Sequence, residues 1–244
     1  MVTCKEIKRL ARENLNRRYS IPMLAYVLST ALASLVELPF SSLLDEYATM
    51  TQTVIYYIAL FLINVLSCVL IFGECKIHLN MAREKEYRLS HLFYCFQDDL
   101  LHYLIPALFL TVLSTLANLP LNIGTQLLVA EPELKNVLIC LGLAVLTLLL
   151  LAIVQVLFGL MYFVVMDHPT MGFRDAIVTT FGLLKGFRRK YLYLTVSFLG
   201  MAVLGYVSLG LGWLWIRPYM LQAETNFYLD LCGELGTNQK NAHA

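Results

Sequence analysis

Charged residues are scarce in this chain. Only 14% of its 244 residues are Asp, Glu, Lys or Arg, whereas 59% are hydrophobic, and the mean hydropathy is +0.67. A soluble domain carries about 25% charged residues, because its surface must be solvated. The composition therefore excludes an ordinary soluble protein and predicts an integral membrane protein.

Charge is completely absent from three long stretches, residues 51–73, 137–166 and 191–216. About 20 apolar residues in a helix cross the hydrocarbon core of a bilayer, so each stretch predicts a transmembrane helix. Together with weaker apolar runs, they predict an all-α, polytopic transmembrane helical bundle of about six spans. The predicted spans are roughly 20–44, 52–75, 103–120, 135–166, 191–214 and 218–232.

The last predicted span follows Arg217-Pro218, which we expect to form its outer turn, because a residue before proline resists helical geometry. The remaining segment has only ~14 apolar-rich residues, or ~21 Å as a helix. Two alternatives stay open for residues 218–232. The segment either crosses as a short sixth span or lies half-inserted in the membrane interface.

Lysine and arginine are missing from most of the chain and concentrate in three segments, 1–20, 75–100 and 167–190. Basic segments that alternate with nearly Lys/Arg-free ones follow the positive-inside rule. We therefore expect a multi-pass protein of the cytoplasmic membrane with all three basic segments in the cytoplasm. The amino terminus is then cytoplasmic, and six spans return the carboxyl terminus to the same side.

The basic segments resemble one another, which indicates an internal repeat. Tyr-x-Ile-Pro occurs at 19–22 and again at 103–106, each time at the start of a span. An amphipathic pattern precedes each of spans one, three and five, with apolar residues at helical spacing. We predict one transmembrane domain, 1–232, built from repeats at about 3–75, 84–166 and 172–232, and a flexible polar tail, 233–244. The amphipathic helices either lie in the membrane interface or cap the spans.

The polar faces of the first and third amphipathic helices carry most of the basic side chains. Such faces attract anionic lipid headgroups. The residues that we expect to face the headgroups are Lys5, Lys8, Arg9, Arg12, Arg17, Arg18, Lys185, Arg188, Arg189 and Lys190. The expected partners are therefore membrane lipid and, as an alternative, another membrane protein or a second copy of the chain. Nucleic acid is not an expected partner.

Catalytic patterns are absent as well. The sequence contains no HExxH, GxSxG or P-loop motif, and its six cysteines form no Cys-x-x-Cys pair. We therefore expect no catalytic residue, no cofactor and no enzymatic activity. One set of weak metal-ligand candidates lies on a predicted helix face: His91, Cys95, Asp98 and His102. Because these four span ~16 Å along a helix axis, they cannot all reach one ion, and a solvated polar face is the alternative.

A few polar residues lie inside the predicted spans, where a charge is costly and usually faces the bundle interior. Glu37 and Arg217 are predicted at similar outer depths and form a plausible ion pair between the first and third repeats. Asn64, Gln155 and Glu224 predict either ordinary hydrogen bonds between helices or a polar path through the bundle.

Several segments resemble a family of bacterial integral membrane proteins that is catalogued as a domain of unknown function. The resemblance lies in "KEIKRLARENL" (5–15), in "DHPTMGFRDAIVTTFGLLKG" (167–186), and in Trp213 and Trp215 followed by Pro218-Tyr219 and Phe227-Tyr228-x-Asp230-Leu231. The family is also distantly similar to the membrane domain of glycerophosphodiester phosphodiesterases. The resemblance implies a polytopic membrane protein without an assigned activity.

Taken together, these patterns predict a non-enzymatic membrane protein that organises lipid or partner proteins at the cytoplasmic membrane. Its basic amphipathic helices and the absence of catalytic motifs favour this function. A transporter or permease component is the alternative, favoured by the repeats and by the polar residues within the spans.

Overall fold

The computed structural model describes residues 2–41, 43 and 49–235, and this part of the chain contains helices and no β-strand. The all-helical prediction is therefore confirmed. The helices are α1 (Cys4–Leu15), α2 (Ser20–Ser41), α3 (Met50–Ala82), a 3-10 helix (Leu89–Phe93), α4 (Tyr94–Gln97), α5 (Leu100–Ala130), α6 (Leu134–Phe158), α7 (Met161–Asp167), α8 (Phe173–Leu184), α9 (Arg188–Val196), α10 (Leu199–Val207) and α11 (Trp213–Leu231).

Five helical segments of the described chain are long and apolar enough to cross a membrane, which agrees with the prediction of several apolar helices. They are Ser20–Ser41, Met50–Ala82, Leu100–Ala130, Leu134–Asp167 and Arg188–Val207. The first agrees with the predicted 20–44 as far as residue 41; of residues 42–44 only 43 is described.

Two of these helices are much longer than predicted. α3 has 33 residues instead of the predicted 52–75, and α5 has 31 instead of 103–120. At ~1.5 Å per residue each is well over 40 Å long and exceeds a bilayer core. The breakers Pro120 and Gly124 do not end α5. Beside Pro120, the Thr147 hydroxyl of α6 accepts a hydrogen bond from the backbone N–H of Leu121 at 3.1 Å.

The predicted turn at Arg217-Pro218 is wrong. The chain turns instead at 208–212, where Leu209 and Gly210 have φ values of 54° and 90° in the left-handed region. α11 then runs through Arg217 and Pro218 without a break and has 19 residues, or ~28 Å. Pro218 is buried, and as the sixth residue of α11 it removes the i→i−4 backbone hydrogen bond to the Leu214 carbonyl without ending the helix.

α11 is too polar to be among the five apolar segments. Its surroundings explain how such a polar helix can lie within the bundle. Eleven of its 19 residues are buried, and it packs against α1, α2, α3 and α10. By contrast, α6 buries only Asn136 and Thr147 and is almost uniformly apolar. The polar helix is thus enclosed by protein, while the apolar helix forms the outer wall.

All three basic segments meet at one end of the bundle, which we call the basic end. There the Arg83 guanidinium, just after α3, donates two hydrogen bonds to Asp167 at 2.5 and 2.7 Å and two to Glu234 at 2.8 Å. The bonds to Asp167 are the main reason that the pKa of Arg83 lies above its ordinary value. The backbone N–H of Val2 and the Lys190 ammonium both bond Asp230. These contacts fasten the ends of α1, α3, α7, α9 and α11 together.

The amphipathic segments pack on protein at the basic end. Ile7, Ala11 and Leu15 of α1 are fully buried in the main core, as are Ala176 and Leu184 of α8. These contacts agree with the capping alternative. The second segment is not one helix, because it divides into the 3-10 helix and α4, and Asp99 then caps α5. The repeat organisation stays a prediction, and residues 236–244 of the predicted tail lie outside the described chain.

Candidate functional site

A cluster of polar side chains lies inside the bundle around α11, and we call it the polar cluster. It joins five helices: α2, α3, α6, α9 and α11. Its members are Ser29, Glu74, His78, Gln155, Tyr191, Arg217, Gln222, Glu224 and Asn226.

The centre of the polar cluster is Arg217, which faces two carboxylates. A guanidinium nitrogen of Arg217 lies 3.9 Å from Glu74 of α3, and Arg217 also interacts electrostatically with Glu224, two turns further along α11. Glu74 is held in place by the hydroxyl of Ser29, which donates a hydrogen bond at 2.6 Å. One cation therefore balances two carboxylates, so the centre carries a net negative charge when both acids are ionised.

Glu224 is the less constrained of the two acids. It accepts a hydrogen bond at 3.0 Å from the amide nitrogen of Gln155, which also donates to the Tyr191 hydroxyl at 2.9 Å. Glu74 is only 6% exposed as a side chain, whereas Arg217 is 27% exposed and Glu224 is half-buried. Glu224 and Arg217 therefore have free surface on which a further group could bind.

A chain of hydrogen bonds runs from His78 towards the basic end. Nδ1 of His78 lies 2.7 Å from Oε1 of Gln222, and Nε2 of Gln222 donates to Oδ1 of Asn226 at 3.3 Å. Asn226 is 2% exposed, and its Nδ2 has no hydrogen-bond partner among the described residues. Asn226 lines a cavity of about 540 Å³, which we call the basic-end cavity.

A second cavity, of about 520 Å³, lies between α3 and α5, and we call it the polar groove. Its polar lining consists of hydroxyl, thiol and amide groups without a charged residue: Tyr57, Asn64, Ser67, Cys68, Thr111, Ser114, Thr115, Asn118, Asn122 and Tyr162. The Tyr162 hydroxyl lies 3.5 Å from the Cys68 sulfur and interacts electrostatically with Arg217. Tyr162 thus stands between the polar groove and the polar cluster.

The predicted intramembrane residues separate into two groups. Gln155 and Glu224 do meet, and Arg217 lies beside them. Asn64 lies apart from them in the polar groove, where its amide donates to the Leu60 carbonyl at 2.9 Å. Glu37 accepts a hydrogen bond from Tyr56 at 3.4 Å instead of pairing with Arg217. The expected Glu37–Arg217 pair is corrected, because Arg217 lies within α11 and faces α3, not in an outer turn.

Sequence reasoning missed Glu74 and His78. The second span was predicted to end at Cys75, so both residues seemed to belong to the membrane boundary. A usable signal existed: Glu74 and His78 are four residues apart and therefore share a face of any helix that continues past Gly73.

The metal-ligand candidates do not share one face, because the predicted helix is broken at Asp98-Asp99. Nδ1 of His91 accepts from the Arg88 backbone, the Tyr103 hydroxyl donates to Asp98, and His102 lies 3.4 Å from the Val165 carbonyl. Burial raises the pKa of the Cys95 thiol to about 12, so it stays protonated. Within 2–41, 43 and 49–235, no three His, Cys, Asp or Glu side chains are grouped to hold a metal ion.

Three of the ten predicted headgroup-facing cations are occupied within the protein. Arg9 pairs with Glu6 and Glu13, Lys190 pairs with Asp230, and Lys8 donates to the Ser197 carbonyl.

Three of the cations that follow α8 line a cavity instead of pairing with acidic side chains of the described residues. Lys185, Gly186, Arg188 and Arg189 line a third cavity of about 540 Å³ together with Phe181 and Gly182, and no acidic side chain lines it. We call it the basic groove.

The ion pair of Arg217 should dominate the stability of the bundle interior. We expect Arg217→Met to lower the free energy of unfolding by about 3–5 kcal/mol, because it leaves the buried Glu74 and the half-buried Glu224 without their cation. Adding Glu74→Gln should restore a large part of that loss. Unfolding by SDS titration in mild detergent measures both effects.

Arg88→Met, which removes only an exposed pair with Glu86, is the control. If Arg217→Met lowered the free energy of unfolding no more than Arg88→Met, the ion pair of Arg217 would not stabilise the bundle.

Comparison with known proteins found no similar sequence among curated proteins and no match among solved structures. One family model, described as "Protein of unknown function (DUF975)", matches residues 1–234. Because that match extends over nearly the whole sequence, the chain belongs to the DUF975 family.

Proposed function

We propose that this protein is a non-enzymatic transporter component of the cytoplasmic membrane and that its polar cluster binds the transported solute or a coupling ion. The observation that carries the proposal is the position of Arg217, Glu74 and Glu224 inside a lipid-enclosed bundle. Ionisable groups are costly in hydrocarbon and generally mark solute or ion pathways.

The arrangement along the bundle supports the same function. The polar groove, the polar cluster and the basic-end cavity follow one another, with Tyr162 between the first two and Asn226 between the last two. The apolar segment Arg188–Val207 is interrupted at Ser197-Phe198, between α9 and α10. Interrupted helices beside a central site are common in transporters.

In the proposed topology, α11 crosses as a sixth span that is shielded from lipid, and three helix-and-hairpin repeats make up a single domain. The basic end then faces the cytoplasm under the positive-inside rule, with both termini on that side. Glu224 acts as the exchangeable acid, since Glu74 is fixed by Ser29 and Arg217. A cation or a proton would neutralise the excess carboxylate while the solute occupies the site.

Flux through the purified protein tests this function. Proteoliposomes are loaded with a defined mixture of amino acids, amines, organic acids and sugars, and mass spectrometry follows the loss of each. We expect at least one solute to leave faster than from protein-free vesicles. Glu224→Gln should lower that flux by about an order of magnitude, because it removes a charge and keeps the side-chain size.

Glu37→Gln is the matched control, because it makes the same chemical change outside the polar cluster. It should leave the flux intact. Wild-type vesicles that retain every solute as well as protein-free vesicles would contradict the proposal. Equal effects of Glu224→Gln and Glu37→Gln on the flux would show that the polar cluster has no special part in transport.

A second candidate function is the organisation of anionic lipid, and the basic groove favours it. Lys185, Arg188 and Arg189 surround this groove without an acidic neighbour in its lining, and Arg188 lies over the Phe181 ring at 5.6 Å. A cation near an anionic membrane surface contributes about 1 kcal/mol to lipid attraction. Three convergent cations would thus retain a phospholipid headgroup.

Native mass spectrometry from nanodiscs of mixed phosphatidylglycerol and phosphatidylethanolamine tests this candidate. The wild type should retain phosphatidylglycerol selectively. Replacing Lys185, Arg188 and Arg189 with Gln should abolish the selectivity. The same change at Lys85, Arg88 and Lys135, which removes equal charge outside the groove, should not. Identical lipid retention in all three proteins would exclude the basic groove as a headgroup site.

A further inference from the structure

The basic-end cavity has one unpaired charge of each sign. Its ionic lining consists of Arg9, Glu13, Arg18, Glu84 and Glu234. Arg9 pairs with Glu13 and with Glu6, and Glu234 pairs with Arg83. The side chains of Arg18 and Glu84 have no such partner in the described part of the chain. The cavity therefore offers one guanidinium and one carboxylate to a ligand.

Asn226 lines this cavity and has an amide donor without a partner among the described residues. Its Oδ1 accepts from Gln222, so the amide group is fixed with Nδ2 unpaired, although the residue is 98% buried. A buried donor without a partner costs about 1–3 kcal/mol, and a ligand acceptor atom would recover that energy. An oxyanion suits both this donor and the Arg18 guanidinium.

The remaining lining indicates the body of the ligand. Leu10, Met81, Ala82, Leu229 and Leu235 supply apolar surface, and Asn14 and Asn16 add two further polar side chains. A volume of about 540 Å³ admits a small molecule with a side chain of several carbon atoms. Apolar surface beside convergent polar groups is usual in small-molecule sites.

We infer that the basic-end cavity binds a small zwitterion, an amino-acid-like molecule with one carboxylate, one ammonium group and an apolar body. The carboxylate meets Asn226 and Arg18, and the ammonium group meets Glu84. This inference rests on the proposed function and deepens it by naming its solute class, because Asn226 belongs both to the polar cluster, through its bond with Gln222, and to the lining of the cavity. Arg18 and Glu84 would neutralise the two charges of the solute while it occupies the cavity. The solute would then move on to Arg217 and Glu224.

Three probes that share one body test the inference by isothermal titration calorimetry with the full chain in detergent. Phenylalanine carries both charges, 3-phenylpropionate lacks the ammonium group and 2-phenylethylamine lacks the carboxylate. We expect phenylalanine to bind, and each analogue to bind about tenfold weaker or less, since each loses a charge-assisted hydrogen bond. Leucine, a second zwitterion with an apolar body, should also bind.

Variants assign the charges to residues. Glu84→Gln should make phenylalanine and 3-phenylpropionate bind alike, and Arg18→Gln should do the same for phenylalanine and 2-phenylethylamine. Both residues are on the surface of the cavity, so the variants should fold. Arg17→Gln removes the neighbouring cation outside the lining and should leave all affinities unchanged. Asn226→Ala should weaken every carboxylate-bearing probe.

Several outcomes would overturn the inference. These are the absence of binding by both zwitterions, equal binding of all three phenyl probes, and variants at Arg18 and Glu84 that change nothing. The result is separable from the proposed function. Binding of the zwitterions without flux would leave the zwitterion site standing and remove transport. Flux of other solutes without any binding of the zwitterions would leave transport standing and remove only this site.

Discussion

The structure depends on keeping the charged groups of α11 away from hydrocarbon. Arg217 and Glu224 lie on one helix, and transferring either to lipid would cost several kcal/mol. The bundle meets this constraint by surrounding α11 with α1, α2, α3 and α10, and by supplying Glu74 and Gln155 as partners. The purely apolar α6 can then form the outer wall, where it needs no polar contact.

Charges outside this interior divide into paired and unpaired ones, and the division separates structural from functional roles. Arg83, Asp167 and Glu234 are mutually satisfied, and they fasten the ends of three helices. Arg18, Glu84 and the cations Lys185, Arg188 and Arg189 of the basic groove line cavities and have no such acidic or basic partner within residues 2–41, 43 and 49–235. The first group stabilises the basic end, whereas the second group is available to a solute or to a lipid headgroup. The lipid-headgroup proposal and the zwitterion proposal therefore rest on the same difference in pairing.

Composition and charge spacing were enough to predict a helical protein with several spans, because about 20 apolar residues have few alternatives to a transmembrane helix. Helix ends were predicted less well. Pro120 and Pro218 appeared to be breakers, but each lies in a continuous helix. A local pattern cannot reveal that Thr147 bonds the backbone beside Pro120.

The site was only half predictable for the same reason. The importance of Arg217, Gln155 and Glu224 could be predicted because polar residues are rare in apolar segments. Their partners could not, since the rotation of α11 against α3 decides whether Arg217 meets Glu37 or Glu74. Glu74 was assigned to a boundary that α3 in fact passes by seven residues. The unpaired amide of Asn226 is a property of three-dimensional packing alone.

The most direct test of the account is the contact between α3 and α11 in the native membrane. In a chain whose native cysteines are replaced by serine or alanine, His78→Cys and Gln222→Cys are introduced together and treated with a short bis-thiosulfonate reagent. The account predicts efficient intramolecular cross-linking, because these side chains lie 2.7 Å apart. It also predicts none for Glu37→Cys with Arg217→Cys. Cross-linking of the second pair but not the first would contradict the enclosure of α11 on which the site depends.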